Sequence, residues 1–329
     1  MRAFLVVGES ILDVITEAGG QRELPGGSPA NVAVGLGRLG HDVGLWTHLG
    51  TDPAGCLLRE HLTASEVDLL APIEGVTSRA LAEIQPDGSA RYDFSVVWPR
   101  WPGGTAPTEA AHHLHTGSIA ALMAPGAGDV EQLLRDRRDA TTVSYDPNIR
   151  PSLVGDPDGC RTQVERIVAT CDVVKASDED LAWLYPGTSP RDAARHWLAL
   201  GPALVSVTLG SDGAFAVAGD AQVTVPSVAV TVVDTVGAGD AFMSGLLDAL
   251  WERHLLGTSA RPRLRAITTD QIREVLSRAA LAAALTVARA GAAPPTRQEL
   301  PASGGDHESL KAPPGAAGPV RGRSNRRLV

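Results

Sequence analysis

The sequence has few cysteines and no long apolar segment. Its three cysteines are an odd number without a Cys-x-x-Cys pair, which favours neither a disulfide framework nor a structural zinc site. No apolar run reaches the roughly 18 to 20 residues that span a bilayer. The apolar start over residues 4–7 is interrupted by Glu9 before it is long enough for a signal peptide. We therefore expect a soluble cytoplasmic protein that does not bind membranes.

Lysine is the scarcest charged residue, with only Lys175 and Lys311 in the whole chain. A Walker-A loop requires Gly-Lys-Ser/Thr, and a protein-kinase fold requires a lysine on its third strand. Neither pattern occurs, so both of these nucleotide-binding classes are excluded. If such a chain handles phosphate, we expect it to use backbone amides, arginines and a metal ion.

The charge is negative overall and unevenly distributed. The chain has 329 residues and a formal charge of -9, with about -12 on residues 1–302 and about +3 on residues 303–329. An acidic body argues against a nucleic-acid-binding protein. The Gly, Pro and Ser content from residue 301 onward predicts a disordered basic tail over 301–329.

Apolar runs of strand length alternate with amphipathic stretches, a pattern typical of an α/β protein with a mainly parallel sheet covered on both faces. In such a sheet, ligands bind at the carboxyl ends of the strands. The predicted strands cover 3–8, 43–49, 111–115, 142–146, 173–175 and 203–208, and the predicted helices cover 29–39, 54–63, 129–137, 162–170, 178–184, 193–200, 240–253 and 269–289. Two segments, about 14–24 and 76–97, are predicted to form β-hairpins in a separate small sheet.

A glycine-rich turn, Asp234-Thr-Val-Gly-Ala-Gly-Asp240, precedes one of the predicted helices. Gly237 and Gly239 let the backbone turn tightly, so that free amides at the helix start converge on an anion. Asp240 lies in the first helical turn, where the helix dipole favours its ionised form. A carboxylate in that place is suited to accept the proton of an attacking hydroxyl. Taken alone, the segment is equally consistent with a simple turn and helix cap.

A second glycine-rich segment, Pro25-Gly-Gly-Ser-Pro-Ala-Asn31, opens the helix predicted over 29–39. Ser28 fits the N-cap position and Pro29 the first helical position, so the helix start itself needs no ligand.

The neighbouring residues of this segment have no such structural explanation. Gly26 and Gly27 allow a hydroxylated ligand to approach the backbone, and Asn31 offers both a donor and an acceptor. Asp13, after the first strand, is able to accept hydrogen bonds from neighbouring sugar hydroxyls, although a solvated loop carboxylate is an equally good interpretation of it.

Together the two glycine-rich segments resemble the two signatures of the ribokinase-like (PfkB-type) carbohydrate kinases. The similarity extends from about Phe4 to Leu300 and includes Gly8-Glu9 with Asp13, Leu49-Gly-Thr-Asp52, the turn from Thr208 to Ala214, and Gly291-Ala-Ala-Pro-Pro-Thr296. The resemblance implies a kinase domain over 1–300 with a three-layer α/β/α ribokinase-like fold, a mainly parallel central sheet and a small β-sheet lid. Residues 301–329 have no counterpart in the family.

What the resemblance implies for function is an ATP-dependent sugar kinase that requires Mg²⁺. Asp240 would be the catalytic base, and Gly237, Ala238 and Gly239 would form the anion hole. The remaining contacts would come from Asp13, Gly26, Gly27 and Asn31 for the sugar, and from Thr208, Gly210, Gly213 and Ser177 for the nucleotide. In-line phosphoryl transfer depends mostly on positioning and charge neutralisation, which a helix N-terminus and Mg²⁺ can supply.

The resemblance also bears on cations. Many relatives bind a monovalent cation near the second signature, which implies a K⁺ site against Asp234 and Thr235. Many also carry an Asn-x-x-Glu motif that organises metal-bound water, whereas the matching residues here are Ser177 and Asp180. Asp180 would still organise water around Mg²⁺. A plain helix N-cap at Ser177 fits the same residues.

The acceptor sugar is suggested by the segment after the strand 142–146. Asp146, Asn148 and Arg150 are spaced two apart, so all three would face the crevice if the segment is extended. This Asp-x-Asn-x-Arg pattern resembles the fructokinase and ketodeoxygluconate-kinase branch, with Arg150 as a sugar contact. Fructose is the first choice of acceptor. A 2-keto-3-deoxy sugar acid is the second, and its carboxylate would use a further cation such as Arg91 or Arg100.

Two other functions remain open at this point. A nucleoside kinase of the same family would need a large aromatic platform for the base, which the low aromatic content, 4%, does not favour. A sugar-sensing protein without turnover would keep the same pocket, but Asp240 and both glycines of the anion hole argue against it. Relatives often pair their lid sheets, which implies a homodimer.

Overall fold

The computed structural model describes residues 1–17, 20–70, 75–84, 90–101 and 106–300. The predicted hairpin turn at 86–88 and the predicted tail from residue 301 lie outside these ranges. Within them, no helix is both long and apolar enough to cross a membrane.

The main sheet of the described chain has nine strands in the order β13-β12-β11-β10-β9-β8-β1-β4-β5. The seven strands from β11 to β5 are parallel, and β12 and β13 add an antiparallel edge. The strands are β1 (Arg2–Val7), β4 (Val43–Trp46), β5 (Val67–Leu69), β8 (Ala111–Gly117), β9 (Thr142–Asp146), β10 (Val173–Ser177), β11 (Leu204–Thr208), β12 (Ala214–Ala218) and β13 (Ala221–Val225). The mainly parallel sheet is therefore confirmed.

A second, four-stranded sheet forms the lid, in the order β3-β2-β6-β7. Its strands are β2 (Ile11–Glu17), β3 (Gly20–Gly26), β6 (Ser78–Ile84) and β7 (Ala90–Ser95). They form the two predicted hairpins, which are joined by parallel pairing of β2 with β6. The first hairpin extends further than predicted, from residue 11 to residue 26, so the lid itself carries Asp13.

Helices cover both faces of the main sheet, as its apolar strands require. Alternation along β1 illustrates the two cores, because Phe4 and Val6 pack among residues of α1, α2, α9 and α11, while Leu5 and Val7 pack among residues of α4, α6, α7 and α8. The helices are α1 (Ser28–Arg38), α2 (Pro53–Ala64), α3 (Ser118–Leu122), α4 (Ala127–Arg137), α5 (Pro151–Val154), α6 (Pro157–Val168), α7 (Asp178–Leu184), α8 (Pro190–Leu200), α9 (Ala238–Glu252), α10 (Arg261–Arg265) and α11 (Thr269–Val287). This is the predicted three-layer α/β/α arrangement.

A buried ionic cluster fixes helix α9. Asp248 is fully buried and accepts hydrogen bonds from Arg278 Nε at 2.6 Å and from His41 Nε2 at 2.7 Å, with Arg297 as a further partner. Although burial by itself would raise the pKa of Asp248, these donors hold it below its ordinary value. The cluster ties α9 to α11 and to the end of α1, and so sets the direction in which the N-terminus of α9 points.

Candidate active site

A cavity of about 320 Å³ lies between the carboxyl ends of the parallel strands and the lid. The N-terminal turns of α1 and α9, the lid strands β2, β6 and β7, and the segment after β9 all contribute to its lining. The two glycine-rich segments, which lie near opposite ends of the sequence, therefore meet in one site.

Asp240 is the meeting point of the two segments. It is buried and lines the cavity. Ser28 Oγ donates to Asp240 Oδ1 at 2.6 Å, and Asn31 Nδ2 donates to Asp240 Oδ2 at 2.8 Å. Hydrogen bonds to a charged acceptor are stronger than neutral ones, so this pair orients the carboxylate.

The start of α1 differs from the prediction. Gly27, not Ser28, occupies the N-cap, no side chain caps the helix, and Ser28 is its first residue. The reason is that Ser28 Oγ is used by Asp240. Gly27 has φ of +99°, and a Cβ there would lie 2.5 Å from the carbonyl oxygen of Glu9. A side chain at this position is therefore excluded both by conformation and by space.

The predicted anion hole forms the N-terminus of α9. Gly237 is the N-cap with a left-handed backbone (φ 76°), and residues 237–240 all line the cavity. The amides of a first helical turn have no intrahelical acceptors. Ala238 is an exception, since its amide donates to the carbonyl oxygen of Thr235 at 3.3 Å. The amides of Gly239 and Asp240 follow it in the same turn.

Four of the five predicted sugar-binding residues line the cavity, namely Asp13, Gly27, Asn31 and Arg150. Asp13 lines the cavity from strand β2, and Gly26 on β3 packs directly against its carboxylate. Burial raises the pKa of Asp13 to about 6, with Arg150 lowering it and Asp240 raising it further. Gly26 is the predicted sugar-binding residue that does not line the cavity, and it supports Asp13 from behind.

The segment after β9 only partly matches the expectation that three side chains face the crevice. Asn148 and Arg150 line the cavity, and Arg150 Nη1 donates to Asn148 Oδ1 at 2.8 Å. Asp146 is instead fully buried, because it is paired with Lys175. Arg100 does not reach the site, since it forms an ion pair with Asp129, and the side chain of Arg91 lies outside the described part of the structure.

The predicted nucleotide-binding residues lie together at the ends of two adjacent strands. Ser177 and Thr208 are register partners at the carboxyl ends of β10 and β11, and Gly210 and Gly213 follow in the turn before β12. They do not line the cavity described above. They do occupy the same edge of the sheet.

Asp180 and Ser177 form a capping box at the start of α7. Asp180 Oδ2 accepts from the amide of Ser177 at 3.0 Å, and its Oδ1 accepts from the amide of Ile149 at 2.8 Å. Both carboxylate oxygens of Asp180 therefore accept hydrogen bonds from backbone amides. These contacts agree with the interpretation of Ser177 as a helix N-cap.

Both side-chain oxygens of Asp234, one of the predicted cation ligands, already accept hydrogen bonds from backbone amides. Asp234 Oδ1 accepts from the amide of Val236 at 3.0 Å and Oδ2 from the amide of Gly291 at 2.9 Å, while Thr235 lines the cavity. Across the described ranges, no group of three or more His, Cys, Asp or Glu side chains is placed to hold a metal ion. This arrangement fits a Mg²⁺ ion that would be held chiefly by substrate phosphates and water, as is common for this ion.

Two residues at the site were not assigned a role from the sequence. Glu9 lines the cavity while almost fully buried; its Oε2 accepts from the amide of Ala120 at 2.9 Å, and its Oε1 has no partner among the described residues. Lys175 lies directly beneath Gly239. In the sequence, each is a single charged residue inside or at the end of an apolar strand. Charged residues are rarely buried unless they are paired, so such a residue indicates a specific role.

Comparisons with known proteins agree with this geometry. A model of the pfkB family of carbohydrate kinases matches residues 3–299. A fructokinase from Rhizobium leguminosarum bv. trifolii is 37% identical over 267 residues, covering 77% of this chain and 81% of that protein. Among solved structures, fructokinase with bound ATP from Xylella fastidiosa has a TM-score of 0.78 at 27% identity, covering 91% of this chain and 96% of that one. A double mutant of fructokinase from Vibrio cholerae O395, in a form bound to fructose, ADP and potassium ion, has a TM-score of 0.76 at 27% identity, covering 89% and 94%.

The burial of Glu9 predicts a pH-dependent gain in stability when its charge is removed. Burial raises the pKa of Glu9 from 4.5 to about 7 in the folded state. Ionisation of Glu9 therefore opposes folding, and this cost grows as the pH rises from 4.5 through 7. We expect Glu9→Gln to raise the free energy of unfolding by about 1 to 3 kcal/mol at pH 8 and by nothing below pH 4.

Urea unfolding at several pH values measures this, with the exposed Glu23→Gln, also on the lid side of the molecule, as the control for charge alone. A Glu9→Gln variant that is no more stable than the parent at pH 8 would contradict the prediction.

Proposed function

Because the chain belongs to the pfkB family of carbohydrate kinases, we propose that it transfers the γ-phosphoryl group of ATP to a primary hydroxyl of a ketose, and that fructose is its acceptor. The observation that carries this proposal is the placement of Asp240. It lines the cavity at the N-terminus of α9 and receives hydrogen bonds from Ser28 and Asn31.

In the proposed reaction, Asp240 acts as the general base. The acceptor hydroxyl gives its proton to a carboxylate oxygen of Asp240, and its oxygen then attacks the γ-phosphorus in line with the leaving group. The bond from the γ-phosphorus to the bridging oxygen breaks, and ADP leaves. The charge spread over the transferred group is stabilised by the amides of Gly237 and Gly239, with Ala238 between them, together with the positive end of the α9 dipole.

Binding of the sugar is assigned to residues of the lid, of the start of α1 and of the segment after β9 that line the cavity. Asp13 would accept hydrogen bonds from two sugar hydroxyls, Asn31 would contact a third, and Gly27 would allow close approach to the backbone. Arg150 would close the site from the segment after β9. The fructokinases among the similar proteins support fructose as the ketose.

The nucleotide and its cations are assigned to the adjoining edge of the sheet. ATP would bind along Ser177, Thr208, Gly210 and Gly213; the similarity to an ATP-bound fructokinase supports ATP as the nucleotide. Mg²⁺, when bound, would neutralise the phosphate charge, with Asp180 acting on its water shell. A K⁺ ion would lie against Asp234 and Thr235; the potassium-bound form of the Vibrio cholerae enzyme supports the binding of this ion.

A 2-keto-3-deoxy sugar acid is the second candidate acceptor, because Arg150 lines the cavity and is able to pair with a carboxylate. The measurement is Mg²⁺-dependent ADP release from ATP against fructose, ketodeoxygluconate, ribose, tagatose and a set of nucleosides. We expect the highest kcat/KM for fructose. A higher value for the sugar acid or for a nucleoside would replace fructose, and sugar binding without turnover would favour a sensor.

We also propose that the kinase domain, residues 1–300, forms a homodimer through its lid. The lid exposes apolar side chains, with Leu81 38% and Val97 40% exposed, and an open sheet has edges and a face available for pairing. Light scattering at micromolar concentration should give the mass of two chains, and Leu81→Asp should lower it to one. A single-chain mass for the parent protein would rule the dimer out.

A further inference from the structure

Lys175 is the only lysine of residues 1–300, and it is buried next to the site proposed for phosphoryl transfer. It lies on β10, 3% exposed, and its Nζ donates to Asp146 Oδ2 at 2.9 Å. Asp146 is fully buried at the carboxyl end of β9. The pair therefore occupies the edge of the sheet at which ligands bind in this class of fold.

The ammonium group of Lys175 packs against the backbone of α9. A Cβ placed on Gly239 would lie only 2.9 Å from Lys175 Nζ. Unlike Gly237, Gly239 does not have a left-handed backbone, so its conformation does not require glycine. Lys175 Nζ therefore lies close to the backbone of α9 at Gly239.

This placement adds positive charge to the N-terminus of a helix. The N-terminus of α9 carries the positive end of the helix dipole, which repels a cation. A buried lysine there is unfavourable unless anions balance it. Asp146 supplies one negative charge, and an anion in the cavity above Gly239 would supply another.

The charged groups around Lys175 keep its ammonium ionised. Burial by itself would lower the pKa of Lys175, but the carboxylates of Asp146, Asp180 and Asp240 raise it above its ordinary value. His115, on β8, is the remaining titratable neighbour, and burial lowers its pKa to about 3, so that it stays neutral. Lys175 is thus a permanent positive charge at neutral pH.

The hydrogen-bonding groups around Lys175 are only partly paired. An ammonium group has three N–H donors, and in the described part of the chain Lys175 uses one, on Asp146. Asp146 Oδ1, Ser206 Oγ and His115 Nε2 are buried without partners there. A purely structural buried ion pair would be enclosed by a complete set of hydrogen-bond partners. Lys175 is not enclosed in this way.

We propose that Lys175 is a positioning residue that makes the anion hole more positive from beneath, so that the N-terminus of α9 stabilises the charge of the transferred phosphoryl group. It acts through the backbone at Gly239 and does not touch the sugar. Asp146 holds the ammonium in place. This role rests on the proposed kinase function.

The test compares two variants that differ only at the lysine, Asp146→Asn and Asp146→Asn/Lys175→Met. Both remove the buried carboxylate charge, so neither leaves an unpaired Asp146. Asp146→Asn leaves the ammonium of Lys175 without its carboxylate partner, so we expect the double variant to have a Tm at least as high as that of the single variant. Its kcat should be lower by about 10² to 10³, the effect of losing one anion-hole contact. The KM for the sugar should change less than about threefold, because Lys175 does not contact it.

Nucleotide affinity provides a readout that does not depend on turnover. In the double variant, calorimetry should show the affinity for the β,γ-imido analogue of ATP falling roughly tenfold relative to Asp146→Asn, while the affinity for ADP, which lacks the γ-phosphate, stays within about twofold.

Equal kcat values and equal nucleotide affinities in the two variants would overturn the proposal and leave the pair as a structural ion pair. If the parent protein phosphorylates no acceptor, the proposed function fails, and the two nucleotide affinities still decide the role of Lys175.

Discussion

The site depends on one carboxylate that joins two helix N-termini. Asp240, at the start of α9, is held by Ser28 and Asn31 from the start of α1, more than 200 residues earlier in the chain. This contact places Gly27, where a ligand is able to approach the backbone, and the amides of α9 at the same cavity. The ionic cluster at Asp248 keeps α9 in the direction that the contact requires. The other wall of the cavity comes from the lid, whose residues face Asp240 across the site.

Much of this arrangement was predictable from local pattern. The alternation of apolar strands with amphipathic helices indicated a mainly parallel sheet, and the hairpins of the lid followed from their turns and from alternating residues. The two glycine-rich segments indicated both helix starts. Their meeting in one site was implied by the resemblance to the carbohydrate kinases and not by either segment alone.

Contacts between distant segments were not predictable in the same way. Ser28 fits an N-cap by local rules, yet its hydroxyl binds Asp240 and the cap passes to Gly27. Lys175 was a lone lysine without a motif, and only the folded structure places its Nζ beside Asp146 and the backbone of Gly239. The antiparallel edge, β12 and β13, was missed because short apolar runs after a turn do not reveal their pairing partner.

The most direct test of the account is the effect of Asp240→Asn on turnover and on sugar binding together. Asparagine keeps the shape of the side chain but is not a base, so kcat should fall by about 10² to 10⁴ or more while the fructose dissociation constant, measured by calorimetry, changes little. Asp220→Asn, in the exposed turn between β12 and β13, is the matched control. Turnover close to that of the parent in Asp240→Asn would remove Asp240 from the mechanism and contradict the account.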